Sequence, residues 1–141
     1  MSTNVLSAKD IKRSWHLIDA SSKALGRLAS EAALILQGKN KANYVPYLDN
    51  GDFVVVTNAS SVKVTGKKMQ QKKYVRHSGY PGGLKVETLV SLKDRRPEEV
   101  IRHAVRGMLP KTKLGDKMIK KLYVYKTTEH PHKAQLRESQ K

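Results

Sequence analysis

The sequence predicts an α/β fold built around a parallel strand–helix–strand unit, and three observations carry that prediction. Trp15 to Asp19 is a short, mostly apolar run of strand length. Leu25, Leu28, Ala29, Ala32, Ile35 and Leu36 then recur at helical spacing. Phe53 to Val56 is an unbroken apolar run, rich in β-branched residues, of the kind found in strands buried on both faces. Strand, helix and strand in that order join as a right-handed parallel crossover. A chain of 141 residues is the size of one domain and long enough to bury a core without cross-links.

Taken in order, residues 1–13 show no periodicity and are expected to be an N-terminal arm, with the folded body over 14–126. After the first strand, Ala20-Ser21-Ser22 reads as a turn whose serines can cap the helix. Gly38 is placed to stop that helix. A basic connection, Gly38 to Asn43, leads towards the Phe53 strand, and Val62 to Val64 predicts a shorter alternating strand ending at Thr65-Gly66. From Lys67 to Gly83 the composition turns polar and glycine-rich, which predicts an extended loop. Arg95-Arg96-Pro97-Glu98-Glu99 then starts a helix: proline suits the first turn and the two glutamates face the positive end of the dipole. Val100, Ile101, Ala104, Val105, Met108 and Leu109 form its apolar stripe, with Arg102, His103 and Arg106 on other faces, and Pro110 ends it. Asp116 is positioned to cap a last short helix, with Met118, Ile119 and Leu122 inward and Lys117, Lys120 and Lys121 outward. Leu122 to Tyr125 continues as a strand, and residues 127–141 read as a polar, irregular tail.

Charge is the strongest statement about function. Lys and Arg total 28 against 12 Asp and Glu, a formal net charge of +16, and such self-repulsion is relieved by a polyanion. Between Phe53 and Val86 there is no acid at all. Inside that span Lys72-Lys73-Tyr74-Val75-Arg76-His77-Ser78-Gly79-Tyr80-Pro81-Gly82-Gly83 combines cations that neutralise phosphates, rings that stack on bases, and glycines that let a backbone approach closely. The same stretch is compatible with an ordinary loop; the charge of the whole chain favours binding.

Other chemistries lack their residues. There is no cysteine, which excludes disulfides, thiolate metal sites and cysteine nucleophiles. Ala20 to Gly26 lacks the glycines of a dinucleotide turn, and Gly66-Lys67 lacks the rest of a phosphate-binding loop. His130-Pro131-His132 supplies two imidazoles, but Glu129 is the one carboxylate nearby and a structural zinc site wants four ligands. No catalytic residue, metal or cofactor is therefore expected. The longest apolar run, Ala32 to Leu36, is far short of a bilayer span, and the N-terminus has no signal-peptide core. A cytoplasmic RNA-binding chain is the expectation, ahead of a nucleotide-dependent enzyme and of a general cationic binder of DNA or anionic membranes.

Several segments occur in a characteristic order: Trp15-His16-Leu17-Ile18-Asp19-Ala20, Leu25-Gly26-Arg27-Leu28-Ala29, Gly38-Lys39-Asn40-Lys41-Ala42, Val64-Thr65-Gly66, His77-Ser78-Gly79 with Gly82-Gly83, Arg95-Arg96-Pro97-Glu98, Val105-Arg106-Gly107-Met108-Leu109-Pro110, Lys121-Leu122-Tyr123-Val124-Tyr125 and Glu129-His130-Pro131-His132. Over roughly Lys12 to Gln135 this series resembles the bacterial-type L13 (uL13) family of large-subunit ribosomal proteins. The resemblance implies a three-layer α/β/α domain with a mixed, largely parallel sheet of about four strands. It also implies a structural role in the large subunit: binding of 23S-type rRNA, help in early assembly, and neighbouring ribosomal proteins as partners. The RNA-facing positions it implies are Lys39 and Lys41 in the connection; Lys67, Lys68, Lys72, Lys73, Arg76, His77 and Tyr80 in the loop; Arg106, Lys111 and Lys113 after the long helix; and His130 with His132. Arg95, Arg96, Lys117, Lys120 and Lys121 complete the candidate cations.

Overall fold

A computed structural model describes residues 7–139. After a 3₁₀ turn at Ala8–Asp10 come β1 (Trp15–Asp19), α1 (Leu25–Gln37), β2 (Phe53–Thr57), a 3₁₀ turn at Ala59–Ser61, α2 (Lys68–Gln71), β3 (Lys73–His77), β4 (Leu84–Thr88), α3 (Leu89–Arg95), α4 (Pro97–Met108), α5 (Lys113–Ile119), β5 (Leu122–Val124) and α6 (Lys133–Ser139). The expected mixed α/β architecture is present, as a three-stranded parallel sheet in the order β1-β2-β5 beside a two-stranded antiparallel ribbon, β3-β4.

Parallel register sets what each face carries. Trp15 pairs with Phe53, Ile18 with Val56, Val54 with Leu122 and Val55 with Tyr123. Paired residues project to the same face, so Ile18, Val54, Val56, Leu122 and Val124 share one side. There they join Leu28, Ala29, Ala32 and Leu36 of α1 and Ile101 and Val105 of α4 in a single core. The other side carries Trp15, Phe53 and Tyr123. Trp15 stacks on Phe53 with centroids 4.5 Å apart, and the His132 ring stacks on Trp15 at 5.0 Å. The Tyr125 hydroxyl and His132 Nε2 share a 2.8 Å hydrogen bond, and Leu136 of α6 is buried. The chain after β5 thus forms the third layer. Where an irregular tail was expected, its last turns are helical and packed against β1.

Other expectations change with physical cause. Ser21 and Ser22 do not cap α1; both fold back on Asp19, and the Leu25 N–H instead meets the Lys63 carbonyl at 2.9 Å. Val62 to Val64 makes only a bridge between Ala24 and Lys63, so the parallel sheet holds three strands rather than about four. Thr112, not Asp116, caps α5: its Oγ1 accepts from the Gly115 N–H at 3.4 Å. The polar stretch 67–83 is mostly ordered, as α2, β3 and the turn into β4.

The segment joining α1 to β2 is fastened by buried charge. Gly38 ends α1 in the left-handed region, φ 78°. Asp52, buried, accepts from the Ser14 N–H at 2.9 Å, from His16 Nε2 at 2.9 Å and from Lys41 Nζ at 2.6 Å. Burial alone would raise its carboxyl, but these donors together hold it below the usual value. Lys41 also donates to the Lys12 and Asn50 carbonyls. Lys121 lies 5% exposed, its ammonium on Asp49 and on the Gly51 and Leu36 carbonyls at 2.9 and 3.4 Å. Burial pulls its pKa below the ordinary lysine value, with Asp49 opposing. Gly51 is required here, because a Cβ would sit 1.7 Å from the Leu36 carbonyl oxygen.

Two outcomes follow. Lys121→Ala leaves the Leu36 and Gly51 carbonyls without their donor and Asp49 with only Arg13, 3.5 Å away, and should destabilise the fold by about 3 kcal/mol, whereas Lys120→Ala, at an exposed neighbour, should stay within about 0.5 kcal/mol; urea unfolding of the two variants compares them. Burial, with His130 beside it, lowers the His132 pKa below 6.5, so the neutral ring belongs to the folded state. Its contribution is whole above 6.5 and is lost as pH falls through the lower, folded value. Emission from Trp15, the one tryptophan in the chain, should therefore titrate with a midpoint below 6.5 and lose that transition in His132→Gln. A midpoint at or above 6.5 would contradict the stack as described.

Candidate nucleic-acid interface

The ribbon β3-β4 is built inside out. Register pairs Tyr74 with Glu87, Arg76 with Lys85, Val75 with Val86 and His77 with Leu84. The Tyr74, Arg76, Lys85 and Glu87 face turns towards α3 and α4, where Arg95 Nη2 meets Glu87 at 2.7 Å and the Tyr74 and His103 rings lie 5.4 Å apart. Tyr74 also packs on Leu89, Leu92 and Val100, and burial raises its phenol pKa. Val75, Leu84 and Val86 consequently point to solvent, each more than half exposed.

Between the charged face and the two helices runs an open groove of about 840 Å³, lined by Tyr74, Arg76, Lys85, Arg95, Arg96 and His103, with Glu87 and Glu99. A second hollow of about 420 Å³ follows at the α4–α5 turn, lined by Arg106, Pro110 and Lys111 among others. His103 lines both, so one track crosses the ribbon, the α3–α4 junction and the end of α4. Its acids are already engaged: Glu87 with Arg95 and the Ser91 hydroxyl, Glu99 with Arg102 at 3.5 Å, and Asp116 with Arg106 at 3.6 Å. Arg76, Lys85, Arg96 and Lys111 have no ion pair among the described residues, which leaves the track strongly positive.

The structure divides the candidates from the sequence into three groups. Arg76, Arg95, Arg96, Arg106 and Lys111 line the track. Lys39, Lys67, Lys68, Lys72, Lys73, Tyr80, Lys113, Lys117 and Lys120 are exposed elsewhere on the surface; the Lys72 ammonium stands 5.5 Å over the Tyr74 ring, and Tyr80 is 76% exposed at the ribbon's turn. His77 is exposed too, but its Nδ1 accepts from the Gly79 N–H at 2.9 Å and so braces that turn. The third group faces inward. Lys121 is enclosed and Lys41 is held by Asp52 and two carbonyls, both as structural cations. His132 is part of the aromatic stack, and His130 is half-buried with its Nδ1 out of solvent and its ring 6.2 Å from Tyr125. Lys121 follows Lys117 and Lys120 in a basic segment, yet the bend into β5 brings its ammonium to the end of α1.

Among the basic and aromatic residues of the track, Tyr74, Lys85 and His103 are not among the sequence candidates; Tyr74 stands in the quoted basic stretch but reads there as a residue packed on the core. Lys85 lies in the acid-free span, which was the available signal. His103 gave none, since only the packing of the ribbon beside α4 brings it next to Tyr74. Among the described residues, no group of three or more His, Asp or Glu side chains could hold a metal ion, and no helix is long and apolar enough to cross a membrane.

Comparison with known proteins gives the same orientation. Residues 13–131 match the family model described as Ribosomal protein L13. The chain is 56% identical over 133 residues to the large ribosomal subunit protein uL13 of Synechococcus sp. (strain CC9311), covering 94% of this chain and 89% of that one. It is 58% identical over 127 residues to the uL13 of Trichormus variabilis (strain ATCC 29413 / PCC 7937), at 90% and 84% coverage, and 56% identical over 135 residues to that of Aquifex aeolicus (strain VF5), at 96% and 94%. Each of these relatives is a protein of the large ribosomal subunit. With the family model spanning most of the fold and such identities along nearly its whole length, the chain belongs to the ribosomal protein L13 family.

Proposed function

We propose that the chain is a structural constituent of the large ribosomal subunit, binding 23S-type rRNA through its basic surface and helping the subunit assemble at an early stage beside neighbouring ribosomal proteins. The observation that carries this is the track of cations from β3-β4 to the α4–α5 turn, whose acids are engaged internally and whose unpaired arginines and lysines are free for phosphates. Each phosphate neutralised releases counterions, so affinity comes with steep salt dependence. Lys72, with its ammonium over the Tyr74 ring, adds a cation beside the track, while Lys73 and Tyr80 are exposed elsewhere on the ribbon. No apparatus for reading a duplex base sequence accompanies it, so shape and charge of a folded RNA are the recognised features.

Replacing Lys72, Lys73 and Arg76 together with Ala should weaken binding to large-subunit rRNA and reduce the slope of log affinity against log salt by roughly two to three. Filter binding between 50 and 200 mM salt with magnesium measures both. The unaltered chain should prefer large-subunit rRNA over small-subunit rRNA and duplex DNA; equal binding to all three would reduce the reading to a generic cationic surface.

A further inference from the structure

We propose that the groove between the ribbon and α3-α4 is a pocket for a single unstacked RNA nucleotide, its base against the His103–Tyr74 pair and its phosphates on Arg76, Lys85 and Arg96. This rests on the RNA-binding reading and goes further, because it assigns one site a ligand of defined chemistry. Size is the first argument. A hollow of about 840 Å³ is within the roughly 300–1,000 Å³ of clefts that hold small-molecule ligands. A single nucleotide turned out of its helix, at a bulge or in a loop, is of a size to enter it.

Ring chemistry is the second argument. Tyr74 and His103 lie 5.4 Å apart and tilted by 34°, and the tyrosine is fixed from behind by Leu89, Leu92 and Val100. His103 is exposed and makes no hydrogen bond among the described residues, so its ring is free to carry a base. Bases stack on such platforms without regard to identity, which suits recognition by shape. Charge is the third. Arg76, Lys85 and Arg96 have no carboxylate partner among the described residues, while both acids of the groove are engaged by Arg95 and Arg102. Cations and rings thus converge on one hollow.

Stacking and phosphate neutralisation leave different signatures. His103→Ala should weaken binding to large-subunit rRNA about tenfold with the salt slope unchanged, and His103→Phe should restore most of the affinity because it keeps a ring. Circular dichroism of both variants confirms that the exposed site on α4 tolerates the change. In the full-chain complex with 4-thiouridine-substituted large-subunit rRNA, near-ultraviolet cross-links should fall on the peptides holding Tyr74 or His103. Unaltered affinity in His103→Ala, failure of His103→Phe to restore it, or cross-links confined to other peptides would each overturn the pocket. If the unaltered chain shows no preference for large-subunit rRNA, the broader RNA-binding reading fails instead.

Discussion

Lys121 is buried, and its ammonium draws three separate parts of the chain to one point. The carbonyls of Leu36 and Gly51 and the carboxylate of Asp49 all turn towards it, so the end of α1, the start of β2 and the α5–β5 junction are fixed together. An apolar side chain at that place would leave the two carbonyls without their cation, with Asp49 held by Arg13 alone. Asp52 closes the same region from the other direction, tying Ser14, His16 and Lys41 beside β1. On one face of the β1-β2-β5 sheet that these charges border, Trp15, Phe53 and Tyr123 receive His132, and α1 and α4 share the opposite face.

The cations of this chain therefore have two kinds of work. Lys41 and Lys121 are desolvated and matched, and they hold the scaffold. Arg76, Lys85, Arg96 and Lys111 are left unmatched on the scaffold's surface, where the acids that could have neutralised them are bound to Arg95, Arg102 and Arg106 instead. A composition-level surplus becomes a local field only because the fold allocates its few acids in this way. The ribbon contributes by turning Arg76 and Lys85 towards α3 and α4 and leaving Val75, Leu84 and Val86 outside, opposite to the arrangement a solvated hairpin adopts.

That inversion explains most of what the sequence withheld. β1, α1, β2 and α4 were legible because burial sets their periodicity: Val54, Val55 and Val56 are all fully buried, and the apolar stripe of α4 lies in the core except at Met108, which is 42% exposed. β3 was not, since its alternation does not correspond to inside and outside, and Gly79, Gly82 and Gly83 at its end suggested a loop. The helix after His132 was missed because a single buried residue, Leu136, anchors a polar segment. Within the site, Arg76, Arg95, Arg96, Arg106 and Lys111 could be chosen on charge alone. Charge alone also selected Lys121, because a buried lysine and an exposed one have the same letter and differ only in the acceptors that distant segments bring. His103 depends on a partner 29 positions earlier, Tyr74, and that pairing is tertiary.

The strand order has a consequence for how the chain comes into being. β2 lies between β1 and β5, yet β5 occupies residues 122–124, close to the end of the sequence. Synthesis proceeds from the N-terminus, so for most of that time one hydrogen-bonding edge of Val54–Val56 has no strand beside it. An open apolar edge of this kind is a template for wrong pairing. The ribbon, α3 and α4 precede β5 in the chain, so the surface carrying the cations leaves the synthesising ribosome before the strand that completes the sheet. A nascent chain halted short of Leu122 would be a cationic body with an unfinished core, since β2 then lacks the strand that pairs its second edge.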